Sequence, residues 1–332
     1  MGTSWIFELE HLRHTPSADQ GSELKDELAE RSKGVDFLFR VGINLNLTLT
    51  PLYTAATYLH RFYMRYSLVD YDYHDSSMAC LFLAAKIEET SRKIADLSRM
   101  AMTKARNLNI EKHDWNAPDT RKELEKWQRR ILTVEEVVID VLCFDFFVTH
   151  PHSGLTVLFE SWPEDQQFDE PEFLEATTWT VANDSYRTPI CVLADPKVAA
   201  YACFIVASQA VGRGAVSDFL AMCDHANTPV PQPSDAEIAR SVLNVEHRDF
   251  RVVQDCLTLL RDYYSSLPEQ AGRFTFVDAL ASLPLPDQNT EYFPDPHANG
   301  HSNGNGREVA GDRTPHGSDG GRTPVFPGPV GA

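Results

Sequence analysis

The sequence predicts an all-α protein in which two tandem helical bundles precede a tail. Three observations lead there. From Met78 to Ile87 the only polar side chain is Lys86, so a helix on residues 76–90 is apolar around its whole circumference and must be enclosed by others. On both sides of this hub, apolar residues recur at helical rather than alternating spacing. From about Pro284 the composition shifts to Pro, Gly, Asn, His and Asp with almost no apolar clustering, which predicts disorder.

In order along the chain, residues 1–22 form an apolar arm with Trp5, Ile6, Phe7, Leu9 and Leu12, expected to pack back on its own domain. A first helix spans about 23–47, with Val35, Leu38, Phe39, Gly42 and Ile43 on one face. Thr50-Pro51 reads as an N-cap and first helical position for a second helix, striped by Leu52, Ala55, Ala56, Leu59, Phe62 and Tyr63. The hub is third, with Asp75 and Ser76 as candidate caps. Ile94, Leu97, Met100, Ala101 and Ala105 mark a fourth helix, and a polar loop from Asn107 to Thr120 follows. Leu124, Trp127, Ile131, Val134, Val138 and Val141 mark a fifth, expected to end near Asp145 and to be broken by Val148-Thr149-His150-Pro151.

Residues 151–170 read as a linker, and 171–265 repeat the plan in weaker form. A helix at 171–186 precedes a second buried run, opened by Asp195-Pro196 and extending to Ser208. Sliding the chain by about 123 residues sets Cys203 on Cys80 and Ala207 on Ala84, and puts Gln209 where Lys86 stands. Helices at about 234–244 and 248–264 complete the unit, and 266–332 form the tail.

The chain has 332 residues, room for two ordinary domains. A net charge of -18 argues against general phosphate-backbone binding and disfavours nucleic acid as a direct partner. Residues 84–130 run the other way, rich in Lys and Arg: a solvated face, or a landing strip for an acidic partner. The six cysteines form no C-x-x-C pair and lie mostly in apolar helical runs, so they are expected as buried reduced thiols. No apolar run reaches the length of a membrane span and the N-terminus has no signal-peptide core, which predicts a soluble intracellular protein with no membrane partner.

Enzyme signatures are missing from the sequence: it has no Gly-rich phosphate loop, G-x-S-x-G elbow or H-E-x-x-H pair. Residues 70–75 resemble the start of a calcium loop, but the turn glycine is missing and Leu81 stands in place of the bidentate glutamate. His150 and His152 have no Cys or carboxylate at metal spacing, so no metal or cofactor is expected. What remains is charge attached to apolar helices. Lys86 can interact with the C-terminal carbonyls of its own helix, or present its ammonium beside carbonyls of a docked protein. Glu135 edges the stripe of the fifth helix, as a surface partner for Arg129, Arg130 or Lys86, and Arg31 and His60-Arg61 are placed for a polar contact between the first two helices.

The residues LFLAAKIEET (81–90), VGINLNL (41–47) and VLCFDFFVTHPH (141–152) together resemble the cyclins. Within that family LHRFYMR (59–65), LFLAAKIEETSRK (81–93) and FDFFVTHPH look like the transcriptional class, the group of cyclins K and T and their fungal relatives. The resemblance implies tandem five-helix cyclin folds, the first over residues 23–150. It implies a regulatory subunit with no catalytic activity of its own. Such a subunit binds and activates a cyclin-dependent kinase acting on the C-terminal domain of RNA polymerase II, promotes transcription elongation in the nucleus, and in some complexes joins a third subunit.

Carried over by position, Lys86 matches the family lysine that donates to kinase carbonyls, and Glu135 the glutamate that accepts nearby. Ile87, Phe144 and Phe146 match apolar interface positions, flanked by Glu88 and Glu89, while Arg31 matches the arginine of the first helix. Cell-cycle cyclins pair that arginine with an aspartate where this chain has His60, so the interhelix contact must be made differently. Glu30, Lys33 and Gly34 replace an apolar substrate-docking patch, which disfavours Arg-x-Leu docking although Phe37 keeps an aromatic. Thr314-Pro315 and Thr323-Pro324 in the tail fit proline-directed phosphorylation. Two alternatives stand beside this reading: a cyclin serving a splicing or Mediator kinase, and a cyclin-fold general transcription factor that binds DNA.

Overall fold

In the computed structural model, residues 5–163, 171–224, 233–267 and 292 are described. Among them every regular element is a helix. The described residues all lie in one unit, Met1–Ala298. The segment from 284 that is expected to be disordered falls outside the described residues except at Tyr292, which is buried in the second core with its N–H donating to Asp262 at 3.0 Å; the two Thr-Pro sites, Thr314 and Thr323, also fall outside.

After a 3-10 turn at Leu9–His14 and the short α1 (Pro16–Asp19), the first bundle comprises α2 (Leu24–Asn44), α3 (Leu49–Tyr63), α4 (Tyr73–Ile87), α5 (Ile94–Ala105) and α6 (Pro118–Val141). Helix α4 is the hub: it touches α2, α3, α5 and α6. Met78, Ala79, Cys80, Leu81 and Ala84 are fully enclosed. Close approach is built in at Gly42 of α2, where an added Cβ would lie 2.2 Å from Leu52 Cδ2 of α3.

The second bundle is α7 (Pro151–Glu160), α8 (Pro171–Ser185), α9 (Ile190–Leu193), α10 (Pro196–Ala210), α11 (Ala215–Asp224), α12 (Asp235–Val242) and α13 (Phe250–Ser265). Its hub, α10, touches all the others. The shift of 123 residues is closer than the sequence reading assumed: it carries α4 onto α10 end to end and Asp72 onto Asp195. Both aspartates are N-caps accepting from the backbone N–H two residues on. The cap of α4 is therefore Asp72, while Asp75 faces Arg130 of α6 at 3.4 Å.

Three other expectations are corrected. Residues 151–160 are no linker: Pro151 sits at the first position of α7, where its missing N–H is no loss, and α7 packs on α8, α10 and α12. Helix α3 begins at Leu49 with Thr48 as its cap residue, two residues ahead of the pattern read from Thr50-Pro51. Cys80, Cys203 and Cys256 are buried free thiols, but Cys191 and Cys223 are half-buried and Cys143 is exposed.

The two bundles interlock. Leu12 of the arm, Leu28 and Met64 belong to the second core, and Tyr186 to the first. The arm thus spans both bundles instead of one: Phe7 N–H donates to Val192 O at 2.8 Å, while Trp5 Nε1 donates to Asp145 at 3.0 Å beneath the Arg61 guanidinium.

Arg31 and His60 do not meet as partners. Fully buried Arg31 pairs with Glu27 one turn earlier on its own helix and donates to Tyr63 O at 2.7 Å, so its interhelix contact is made to the backbone end of α3. Glu27 is in turn held by Thr15 Oγ1 at 2.5 Å. His60 points away, donating Nε2–H to Tyr186 O of the second bundle at 2.9 Å. A buried arginine needs a carboxylate, and Glu27 takes the place of the aspartate missing from α3.

Candidate functional site

The C-terminus of α4 is closed by a turn with Glu89 in the left-handed region at φ 53°. There Thr90 N–H donates to Ala85 O at 2.8 Å and Glu89 N–H to Lys86 O at 3.2 Å. These backbone donors satisfy the last carbonyls, so Lys86 is not needed as a cap. Its ammonium instead crosses to α6 and pairs with Glu135, 4.4 Å from the centroid of Phe82. Glu135 is almost fully covered, whereas 40% of the Lys86 side chain is open to solvent. The carboxylate therefore anchors the lysine and leaves part of its donor capacity outward.

The chain leaves α6 through two consecutive non-glycine residues in the left-handed region, Cys143 at φ 52° and Phe144 at φ 59°. That conformation is costly for a bulky residue and turns the Phe144 ring outward, 69% exposed. Phe146 is half-buried against Tyr58, whose hydroxyl donates to Phe146 O at 2.7 Å. Arg61 reaches the carbonyls of Asp145 and Phe147 at 3.4 and 3.5 Å. Phe147 then stands 79% exposed, beyond either sequence-predicted phenylalanine.

Helix α3 joins the two halves of the site. Tyr58 holds the phenylalanine segment, and Thr54, one turn earlier, donates to Glu88 Oε1 at 2.8 Å. Because the Thr54 proton goes to Glu88, His150 Nε2–H must donate to Thr54 Oγ1 at 3.1 Å, and His150 Nδ1 must accept from Tyr186 O–H at 2.7 Å. A relay of four side chains thus runs from the second bundle to Glu88. Burial pushes His150 down to about 4, with His152 and Arg61 adding to the shift, which keeps the ring neutral and the relay directional.

Lys86, Ile87, Glu88, Phe144 and Phe146 therefore stand at one end of the first bundle around α3, and Glu89 is exposed beside them. The face combines open apolar surface, with Ile87 at 40% exposure, and one anchored ammonium. Its side chains are an ammonium, carboxylates and open apolar rings, groups that another protein surface could pair with or cover. Sequence reasoning missed Phe147, Tyr58 and Thr54. Phe147 carried a usable signal, a second aromatic in a loop after a helix end; Tyr58 and Thr54 lie within an ordinary core stripe and carried none. In the second bundle Gln209 occupies the position of Lys86 and accepts from Val216 N–H at 3.3 Å, so that copy of the site is turned inward.

The family described as cyclin, N-terminal domain matches residues 4–146. Cyclin pch1 of Schizosaccharomyces pombe is 37% identical over 203 residues, covering 61% of this chain and 56% of that protein. Human Cyclin-K is 29% identical over 205 residues, covering 62% of this chain and 33% of that protein. Mouse Cyclin-T2 is 28% identical over 207 residues, with 62% and 27% covered. The chain thus matches little more than half the length of the first of these relatives and a third or less of the others. A chain of the cryo-electron-microscopy structure of the yeast TFIIK (Kin28/Ccl1/Tfb3) complex shares the fold, with a TM-score of 0.50 at 12% identity over 77% of this chain and 95% of that one.

Proposed function

We propose that this chain, whose residues 4–146 match the cyclin N-terminal domain and which is similar to Cyclin pch1 and Cyclin-K, is the regulatory subunit of a cyclin-dependent kinase. The kinase would phosphorylate the C-terminal domain of RNA polymerase II in the nucleus and promote transcription elongation. The single observation that carries this is the candidate face: an outward ammonium anchored by a buried carboxylate, with Ile87, Phe144 and Phe147 exposed.

The mechanism follows from what a kinase helix would meet there. Its apolar side chains bury Ile87, Phe144, Phe146 and Phe147, while Lys86 donates to backbone carbonyls that the contact removes from water. Glu135, already under the lysine, accepts from the incoming chain and fixes the ammonium. Helix position in a kinase decides whether its catalytic Lys–Glu pair forms, so a partner that fixes that helix activates through binding energy alone. The cyclin itself supplies no reacting group. Truncating Lys86 strands kinase carbonyls and is expected to cost roughly 2 kcal/mol or more, about thirtyfold in affinity.

The test is co-purification of the tagged chain from its native cells beside a Lys86→Ala/Glu135→Ala variant. The retained kinase is identified and assayed on a polymerase C-terminal-domain peptide. A kinase active on that peptide and lost from the variant supports function and site together. One retained equally by both proteins refutes the assignment of the face.

A further inference from the structure

One surface is unused by this reading. On α6 the residues Lys122, Lys126 and Arg129 are exposed and spaced i, i+4, i+7, which aligns them on one helix face. Three neighbouring cations are occupied: Arg106 pairs with Glu123 at 2.8 Å, Arg130 faces Asp75 and lies over Trp127, and Arg99 lies over Trp115, while Arg121 stands exposed next to Lys122. Among the described residues, none of the three stripe cations forms an ion pair. Glu125 is exposed beside the stripe without pairing to Arg129. In a chain with 48 carboxylates and a net charge of -18, three cations on one helix face are a local departure from the acidic average; other exposed cations without an ion pair, such as Lys112 and Arg251, lie on other elements. Leu132, 43% exposed one turn past Arg129, adds an apolar end.

We infer that the Lys122–Lys126–Arg129 stripe of α6 is a docking site for a phosphorylated peptide, a segment already modified by the partner kinase. The inference rests on the kinase-subunit reading for the source of that peptide. Three arguments favour a phosphopeptide over nucleic acid. Seven residues of helix span about 10 Å, too short a track for a duplex. Two phosphates three residues apart in an extended peptide are also about 10 Å apart, which matches the stripe. Trp115 and Trp127 lie under arginines, so neither ring is open for base stacking. The acidic remainder of the chain repels such a peptide elsewhere. Because α6 also carries Glu135, one rigid helix ties the stripe to the docking face, so a held peptide raises the local concentration of its unmodified sites near the kinase.

The test measures binding to the full chain alone, by fluorescence anisotropy, of a peptide with two phosphoserines three residues apart. The unphosphorylated peptide and an RNA oligonucleotide of equal charge serve as comparisons. The stripe variant is Lys122→Ser/Lys126→Ser/Arg129→Ser; a control, Arg13→Ser/Lys25→Ser/Arg248→Ser, removes the same charge elsewhere. We expect the diphosphorylated peptide to lose at least tenfold in affinity on the stripe variant, less than twofold on the control, and to outbind the unphosphorylated form on the parent. Equal loss on both variants, or equal binding of the two peptides, overturns the proposal, as does tighter stripe-dependent binding of the RNA. Kinase capture is scored separately: a parent chain that captures no kinase refutes the preceding section, whereas loss of phosphopeptide selectivity alone refutes this one.

Discussion

The seam between the bundles is built on neutral histidines, and acid should open it. His60 is completely buried with Nε2–H spent on Tyr186 O, while its Nδ1 has no hydrogen-bond partner. A second proton would therefore be a buried, unrewarded charge near Arg31. Burial first, and then the Arg31 charge, push His60 from the usual 6.5 down to about 3. His150 falls to about 4 for the same first reason, and burial also lowers His152, which stacks on Tyr53 at 4.3 Å. A folded-state value below the unfolded one means that the unfolded chain binds more protons. Stability is then complete above 6.5 and is lost as the pH falls toward the folded values. At pH 5 each of the two groups costs about 2 kcal/mol relative to pH 8, with the less enclosed His150 giving the smaller share.

Asp75 works in the opposite direction. Burial raises it to about 6, so it gains protons preferentially in the folded state and returns roughly 1.4 kcal/mol between pH 7 and 5. A pH profile of the parent alone mixes both signs. The decisive comparison is with His60→Gln, whose amide N–H can still reach Tyr186 O but does not titrate. Urea denaturation followed by tryptophan fluorescence at pH 8 and pH 5 should show the variant losing about 2 kcal/mol less than the parent over that interval. An identical acid loss in the two proteins would refute the assignment of the seam to His60.

Other perturbations separate fold from site. Arg31→Ala leaves the buried Glu27 carboxylate without its partner and should cost about 3 kcal/mol or more in chemical denaturation. Gly42→Ala drives a methyl into Leu52 and should cost about 1–3 kcal/mol, measurable as a lowered Tm. Phe147→Ser should leave stability within about 0.5 kcal/mol yet weaken kinase capture about tenfold, since the ring is open to solvent and the proposed docking would bury it. Tyr186→Phe deletes the first hydroxyl of the relay to Glu88 and should cost about 1 kcal/mol of stability in urea, with a parallel loss in kinase capture.

The hub helices were legible because each is apolar all round, and enclosure is the only solution for such a segment. The repeat was legible for the same reason, down to the caps once Asp72 and Asp195 are compared. Helix α7 was not, because Pro151 both ends one pattern and starts another, and proline chemistry alone does not say which. The short α11, which follows Gly212 and Gly214, both at positive φ, has no counterpart among the helices read from the sequence between Ser208 and 234; it packs on α10 and α12. At the site, Glu135 has three candidate partners in the sequence, Arg129, Arg130 and Lys86; that Lys86 is the one depends on how α4 crosses α6, a tertiary fact. The Arg31 partner was misplaced on α3 because a local i, i+4 carboxylate, Glu27, was available one turn away.

The pairing of Lys86 with Glu135 before any partner arrives bears on how docking is driven. A free lysine on an exposed helix end carries about 2 kcal/mol of rotamer entropy, which a docking kinase would have to remove. Here the buried carboxylate and the Phe82 ring already hold the ammonium, so much of that ordering is complete in the free chain. The same holds for the phenylalanine segment, whose backbone is pinned by Tyr58 and Arg61 while the Phe144 and Phe147 rings face solvent. The left-handed pair at Cys143 and Phe144 is paid for within the fold, not at the moment of binding. A face ordered in this way converts more of its buried area into affinity than a flexible one of equal size. It follows that Glu135→Gln, which keeps the shape but weakens the hold on Lys86, should reduce kinase affinity less than Lys86→Ala and should do so with no change in the apolar contacts.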